Sequence, residues 1–446
     1  MRKPITLFIT ILLLYGGLQS QETLSLARAV QIGLANNFDI LISQKNYEIA
    51  ALNNKYGEAG GLPTVDLNLS QNNNLSDNSF PLAFVQGQTM TNGVTGGADV
   101  NWILFNGFQV RMNKAKLVLL EEQSEGNAAL IVQNTIQSII LAYYNAVVQQ
   151  KRLEIFGEVK KLTRDLYSLN KNKKDFGSIT TFDLLQIQGN YFTDSTNYLN
   201  QELITQNAKR NLNVLMARPI NTEFILGDTV LPEIRVYNYE VLRDEMFSNN
   251  QDLVVQYYNQ QIAENDIDLQ RAGLYPTVNF NTGVNDSWRR IDVDGQGPDG
   301  QSIAYSADGA TINYYANFVL SYRLYNGGRV RRAISRAKIQ YQNAELNTDK
   351  LKLSLERDLA NSFDTYNNRI KLLGIADETV RTQKLNLELG EAKFRNGTLS
   401  SFNYRDIQTR YVLSSIDRLQ AAYNLIESNT ELVRLTGGIL SQFESE

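Results

Sequence analysis

The chain has 446 residues, 43 Lys and Arg against 47 Asp and Glu, no Cys and no His. Without thiol or imidazole there is no disulfide framework, no thiolate nucleophile or cysteine-borne lipid anchor, no His-based triad and no HExxH zinc site. A net charge of −4, with no basic patch interleaved with aromatics, argues against a nucleic-acid partner.

At the N-terminus Arg2 and Lys3 precede the apolar run Ile5 to Tyr15, followed by Gly16-Gly17-Leu18-Gln19-Ser20. That order is the layout of a secretory signal peptide, with cleavage after Ser20. No other stretch approaches the roughly 18 apolar residues of a membrane-spanning helix. The mature chain is therefore expected to leave the cytoplasm and keep no helical anchor.

Residues 24–55 are predicted to form the first helix, with Leu26, Val30 and Leu34 on one face and Leu41, Tyr47 and Leu52 more loosely placed. Asn36-Asn37-Phe38-Asp39 interrupts it, and Asn249-Asn250-Gln251-Asp252 repeats that punctuation 213 positions later (249 − 36). Gly60-Gly61-Leu62-Pro63 stops the helix, matched by Ala272-Gly273-Leu274-Tyr275-Pro276 at the same offset (276 − 63).

After each Pro the pattern alternates with the period of a strand. Val65, Leu67 and Leu69 alternate with Asp66, Asn68 and Ser70, and Val94, Ala98, Val100, Trp102 and Leu104 with Thr95, Asp99 and Asn101. In the second half Val278, Phe280 and Val284 alternate with Asn279, Asn281 and Asn285. Ile312, Tyr314, Ala316, Phe318, Leu320, Tyr322 and Leu324 alternate with Thr311, Asn313, Tyr315, Asn317, Ser321 and Arg323. A soluble sandwich would also alternate. Three facts favour membrane strands: lengths of about ten residues or more, aromatics near the strand ends (Trp102, Phe105, Tyr322, Tyr325), and export. Polar loops are expected at 76–92 and 286–310. The second is rich in Asp and Gly, but an EF-type calcium loop starting at Asp292 needs Glu where Ile303 stands, so a flexible external loop is the reading.

The chain writes one junction twice, as Trp102 to Arg111 (WILFNGFQVR) and Tyr322 to Arg331 (YRLYNGGRVR), 220 apart (322 − 102). Each is a strand handing over at Asn-Gly to a helix. No Pro occurs from Gly107 to Met216 or from Gly327 to the end. Ile155, Val159, Leu162, Leu166 and Leu169 step by four and three, as do Leu359, Phe363, Tyr366, Ile370 and Leu373, which is the stripe of a coiled coil. A helix from Val110 to Asp175 would be about 100 Å long. Gly126, Gly157 and Gly374 are expected to mark bends or breaks.

A second shared break follows. Phe176-Gly177-Ser178-Ile179-Thr180-Thr181-Phe182-Asp183 is matched by Asn396-Gly397-Thr398-Leu399-Ser400-Ser401-Phe402-Asn403, again 220 apart (397 − 177). Gly suits the end of one helix, and Ser or Thr the cap of the next. Each half thus holds a helical hairpin of equal length, with both tips at one level. The seven extra residues of the second half (220 − 213) are assigned to the loop joining its strands. The expected organisation is a signal peptide at 1–20, repeats at 21–218 and 241–438, a connector at 219–240 carrying a small element, and a tail at 439–446.

Four strands cannot close a barrel, and lipid tolerates no open edge, so several chains must assemble. Three would give twelve strands around a wide lumen.

In the order and spacing of the duplication, junctions and tips, essentially the whole mature chain resembles the TolC-like outer membrane efflux proteins. The resemblance implies a homotrimer. Its fold would be a twelve-stranded β-barrel in outer-membrane lipid, continued by an α-helical coiled-coil barrel across the periplasm. It implies an exit duct of a tripartite efflux pump or type I secretion system, conducting passively, and working with a periplasmic adaptor (a membrane fusion protein) and an inner-membrane transporter. It places a narrow periplasmic aperture at the tips, where Asp183 and Asp406 match the family's acidic lining and Asn403 departs from it. The bland reading of both acids is that they are helix-start carboxylates favoured by the macrodipole. Gly177, Thr180, Gly397, Leu399 and Ser400 form the tips and their adaptor-docking surface. Phe394 and Leu399 stand where similar proteins carry the polar latch of the closed tip. No catalytic, cofactor or metal residue is expected. The alternatives are an exported coiled-coil scaffold or surface interaction protein without a pore, and an enzyme. No carboxylate pair here combines with a nucleophile, metal set or phosphate loop.

Overall fold

The structure, a computed structural model, describes residues 22–78 and 86–439. The expected signal peptide, and the expected tail beyond Ile439, lie outside these residues. The chain divides into two compact units, one of 1–45, 126–255 and 349–446 and the other of 46–125 and 256–348.

The first unit is helical. Strand β1 (Glu22–Leu24) is followed by helix α1 (Leu26–Asn36), and the chain continues into α2 (Phe38–Asn53). The single helix expected over 24–55 is therefore a short strand and two helices. Leu24 does not begin the helix because Ser25 caps it, accepting from the Arg28 amide. β1 pairs in parallel with β4 (Phe224–Leu226), the small element of the connector. Three residues carry no legible period, so β1 escapes sequence reading.

Helix α3 (Gln109–Asp175) and helix α7 (Arg329–Arg395) each have 67 residues, and α4 (Thr181–Leu215) and α8 (Ser401–Leu435) each have 35. Gly126, Gly157 and Gly374 lie inside α3 and α7 without ending them, so none of the three is a break. The helix between α4 and the second hairpin of strands is split like the first, into α5 (Tyr239–Asn249) and α6 (Gln251–Arg271). The core of this unit joins Ile139, Tyr143, Leu212, Leu359, Tyr366 and Leu425. Tyr143, fully buried, donates its hydroxyl towards Leu24 O (2.9 Å) and Asp228 Oδ2 (2.7 Å), and the same carboxylate accepts the Leu26 amide at 2.8 Å. Of the two coiled-coil stripes, Val159, Leu166, Leu359, Tyr366 and Leu373 are buried, whereas Leu169 is exposed.

The second unit carries an antiparallel sheet in the order β2 (Thr64–Asn78), β3 (Gln86–Asn106), β5 (Thr277–Gln296) and β6 (Ser302–Ser321). The expected loops at 76–92 and 286–310 are too wide. The second is only Gly297–Gln301, and Asp292 and Asp294 sit in β5. Equivalent positions start both hairpins, since Thr64 pairs with Asn101 and Thr277 with Ser321. From there β2 and β3 form 15 pairs and β5 and β6 form 20. The second ladder thus has five more described pairs than the first (20 − 15), while residues 79–85, on which the assignment of the seven extra residues to the loop also turns, lie outside the described residues. A ladder bonds through its backbone, so polar side chains on both faces do not end it outside lipid.

Candidate functional site

Two regions bear on function, one in each unit, and every predicted site residue lies in the first. The first is the pair of hairpin tips. α3 ends at Gly177, whose φ of 70° lets its amide bond Lys174 O at 2.9 Å. α7 ends likewise at Gly397, φ 72°, bonded to Phe394 O at 3.1 Å. That left-handed conformation penalises any residue with a Cβ. Thr180 then caps α4 by accepting the Asp183 amide (3.1 Å), and Ser400 caps α8 by accepting the Asn403 amide (3.3 Å).

Asp183 closes its own cap, accepting the Thr180 hydroxyl at Oδ2 (2.6 Å). Asn403 holds the equivalent place. Asp406 lies one turn further on and accepts from Arg410 Nε at 2.8 Å, which holds that guanidinium above its usual range. The tips meet at a cleft of about 860 Å³, lined among others by Ile179, Asp183, Phe394, Leu399 and Ser400. Asp183, Gly397, Leu399 and Ser400 are thus brought together, whereas Gly177, Thr180, Asn403 and Asp406 do not line the cleft.

Beside the cleft is a contact the sequence does not announce. Arg405 of α8 grips Asp194 of α4 with two bonds of 2.7 Å, and the Asp194 side chain is only 5% exposed. Ser401 Oγ also donates to Gln186 Oε1 at 3.4 Å. Tyr404 stacks on Phe394 (4.9 Å between centroids, 8° between planes) and packs with Leu166 and Ile187. Burial pushes the Tyr404 phenol up to about 12, and the Glu391 carboxylate pushes it the same way. Its hydroxyl, like Gln408 Nε2, has no hydrogen-bond partner among the described residues. Arg405 and Asp194 lie 211 residues apart, so no local motif signals their pairing.

The second region is the sheet. Successive side chains point to opposite faces, so the register fixes both surfaces. One face carries rows such as Val65, Val100, Thr282 and Ala316, then Leu67, Ala98, Val284 and Tyr314, then Trp102, Phe280 and Phe318. The other carries Asp66, Asp99, Gly283 and Tyr315, then Asn68, Gly97, Asn285 and Asn313, then Ser70, Thr95, Ser287 and Thr311. On the polar face Asn68 Nδ2 donates to Asp99 Oδ2 (2.6 Å), Asn101 Nδ2 to Asp66 Oδ2 (3.2 Å) and the Tyr315 hydroxyl to Asp99 Oδ1 (2.5 Å). The apolar face is bare in the single chain: Leu67 is 84% exposed and Phe318 71%. A shift at Leu104, between Ile103 and Phe105, takes that residue out of the expected alternation. Among the described residues no helix is long and apolar enough to cross a membrane.

A bare apolar face on strands this long suits lipid, and the match to known proteins decides the family. The Outer membrane efflux protein family model matches residues 29–218 and 242–438. The chain belongs to the outer membrane efflux protein family. Nodulation protein T of Rhizobium leguminosarum bv. trifolii is 21% identical over 408 residues, covering 91% of this chain and 80% of that protein. The fold is that of the Campylobacter jejuni CmeC outer membrane channel (TM-score 0.73, 15% identity, 94% of this chain and 88% of that one). It also matches the outer membrane protein VceC of Vibrio cholerae (0.69, 12%, 93% and 96%) and the open state of the Neisseria gonorrhoeae MtrE channel (0.69, 16%, 93% and 89%). This outer membrane efflux protein is therefore a transport protein of the outer membrane, with its helices on the periplasmic side.

Proposed function

We propose that three copies of this outer membrane efflux protein form one exit duct, a twelve-stranded barrel continued by a helical barrel. The duct passively carries cargo delivered by an inner-membrane transporter through a periplasmic adaptor. The observation that carries this reading is the sheet. β2 and β6 are its outer strands, each with one unpaired edge in the single chain, beside an apolar face that needs lipid. An open edge in hydrocarbon leaves several kcal/mol of unmet hydrogen bonding per group, so β2 of one copy must meet β6 of the next. The polar face of amides, hydroxyls and carboxylates then lines the lumen, as in water-filled barrels. The long stripes of α3 and α7 support a helical tube rather than a scaffold without a pore, because a scaffold would not need the strands.

At the periplasmic end the aperture is assigned to Asp183, Asn403 and Asp406, and the adaptor surface to Gly177, Thr180, Gly397, Leu399 and Ser400. Rings of carboxylates would favour cations and hinder leakage. The Arg410 partner of Asp406 weakens that residue's share, so Asp183 is expected to dominate. In planar bilayers, Asp183→Ala should reduce block by multivalent cations more than Asp406→Ala does. An unchanged block in the double variant would remove these residues from the aperture.

A further inference from the structure

The whole-chain charge hides a local run. From Ser321 to Ala344 there are six cations, Arg323, Arg329, Arg331, Arg332, Arg336 and Lys338, and no acid before Glu345. All six are exposed. None of their side chains has a hydrogen-bond or ion-pair partner among the described residues. The matching stretch of the first half behaves differently. It has Arg111, Lys114 and Lys116 only, of which Lys116 pairs with Asp266 at 2.7 Å and Lys114 donates to Asn54. The first copy of the junction satisfies most of its cations within the chain; the second leaves all of its own free.

The position of the run says what it faces. β6 ends at Ser321 and α7 begins at Arg329. Between them Tyr322, Leu324 and Tyr325 are 59%, 89% and 83% exposed. Exposed aromatics at the end of a membrane strand, followed directly by cations, are the order of groups met on leaving hydrocarbon for headgroups. Arg329, Arg332 and Arg336 recur at i, i+3 and i+7, which puts them on one stripe of α7, and Ala337 is the buried position that marks the inward side. The cations of α7 extend over about 14 Å along the helix at its ordinary rise.

We infer that this run is a binding surface for the phosphate headgroups of anionic phospholipids in the periplasmic leaflet, with Arg329, Arg332 and Arg336 as its centre. The guanidinium fork matches phosphate oxygens two at a time, and clustered unpaired cations beside a membrane strengthen such binding additively. The inference rests on the outer-membrane location and the strand-to-helix junction, not on the duct or its gate.

The test is lipid retention by the full mature protein in detergent, followed by native mass spectrometry after exposure to equal phosphatidylglycerol and phosphatidylcholine. Wild type should retain phosphatidylglycerol preferentially. The variant Arg329→Gln with Arg332→Gln and Arg336→Gln should lose about a hundredfold of that preference while keeping its oligomeric state. The matching Arg→Lys variant, with the charge kept, should retain most of it. Equal phosphatidylglycerol retention by the Gln variant would overturn the proposal. So would its dissociation into single chains, which would assign these arginines to contacts between copies instead.

Discussion

Asn37 and Asn250 each hold two distant pieces of chain with one amide. Asn37 Oδ1 accepts the Asp39 and Ile40 amides, capping α2, while its Nδ2 donates to Leu215 O at the end of α4 (2.9 Å). Asn250 Oδ1 accepts the Leu253 amide, and its Nδ2 donates to Leu435 O at the end of α8 (3.0 Å). Both side chains are buried. Their recurrence 213 positions apart was legible, but their partners at the helix ends, 178 and 185 residues away, were not. Asn250→Asp keeps the cap but leaves Leu435 O without its donor. It is expected to cost about 1–3 kcal/mol in thermal or denaturant unfolding of the detergent-solubilised protein. Near the tips, Arg405→Ala strands the buried Asp194 carboxylate and is expected to cost about 3–5 kcal/mol, whereas Tyr404→Phe removes a hydroxyl without a partner and should be neutral or stabilising. Tyr404 also gives a pH dependence. Its folded value lies above the ordinary phenol value, so its contribution is complete below about pH 10 and is lost as the pH rises towards about 12. Tyr404→Phe should flatten that alkaline loss in a pH series of unfolding midpoints.

At the scale of elements, the helices followed from Pro-free sequence, Gly at their ends and Ser or Thr at their starts, and the bounds of α3 agree with expectation within one residue at its start. The strands were harder. Their apolar faces showed in the alternation, but the polar parts of β2 and β5 looked like loop, because a ladder bonded through its backbone needs no side-chain pattern. The same face assignment makes a direct test. Leu67→Arg, on the apolar face, should cost about 2–4 kcal/mol if that face meets hydrocarbon. Its neighbour Asn68→Arg, on the polar face, should be far better tolerated. Comparable losses for both, read by refolding into vesicles across a urea series, would show that the faces are misassigned. The junctions also differ instructively. Phe108 takes a φ of 68° where the second copy has Gly328 at 73°. Edge-on contacts with Phe105 (5.2 Å) and Tyr275 (6.0 Å) offset the strain of that backbone.

At the scale of the molecule, the proposed duct would have to complete a sheet that has two outer strands in the single chain. β2 and β6 leave their edges unpaired, and several of the apolar residues that alternate in sequence, Leu67 and Phe318 among them, are exposed. Sequence could supply the number of strands in the sheet, because that follows from counting alternating stretches. It could not supply the Arg405–Asp194 grip or the unpaired cations of α7, which depend on what lies nearby in space. The measurement that bears most directly on the whole account is the mass of the detergent-solubilised mature protein, with bound detergent subtracted, by light scattering. The account requires a particle of three chains that loses solubility when the detergent is removed. A single chain that stays dissolved without detergent would contradict it.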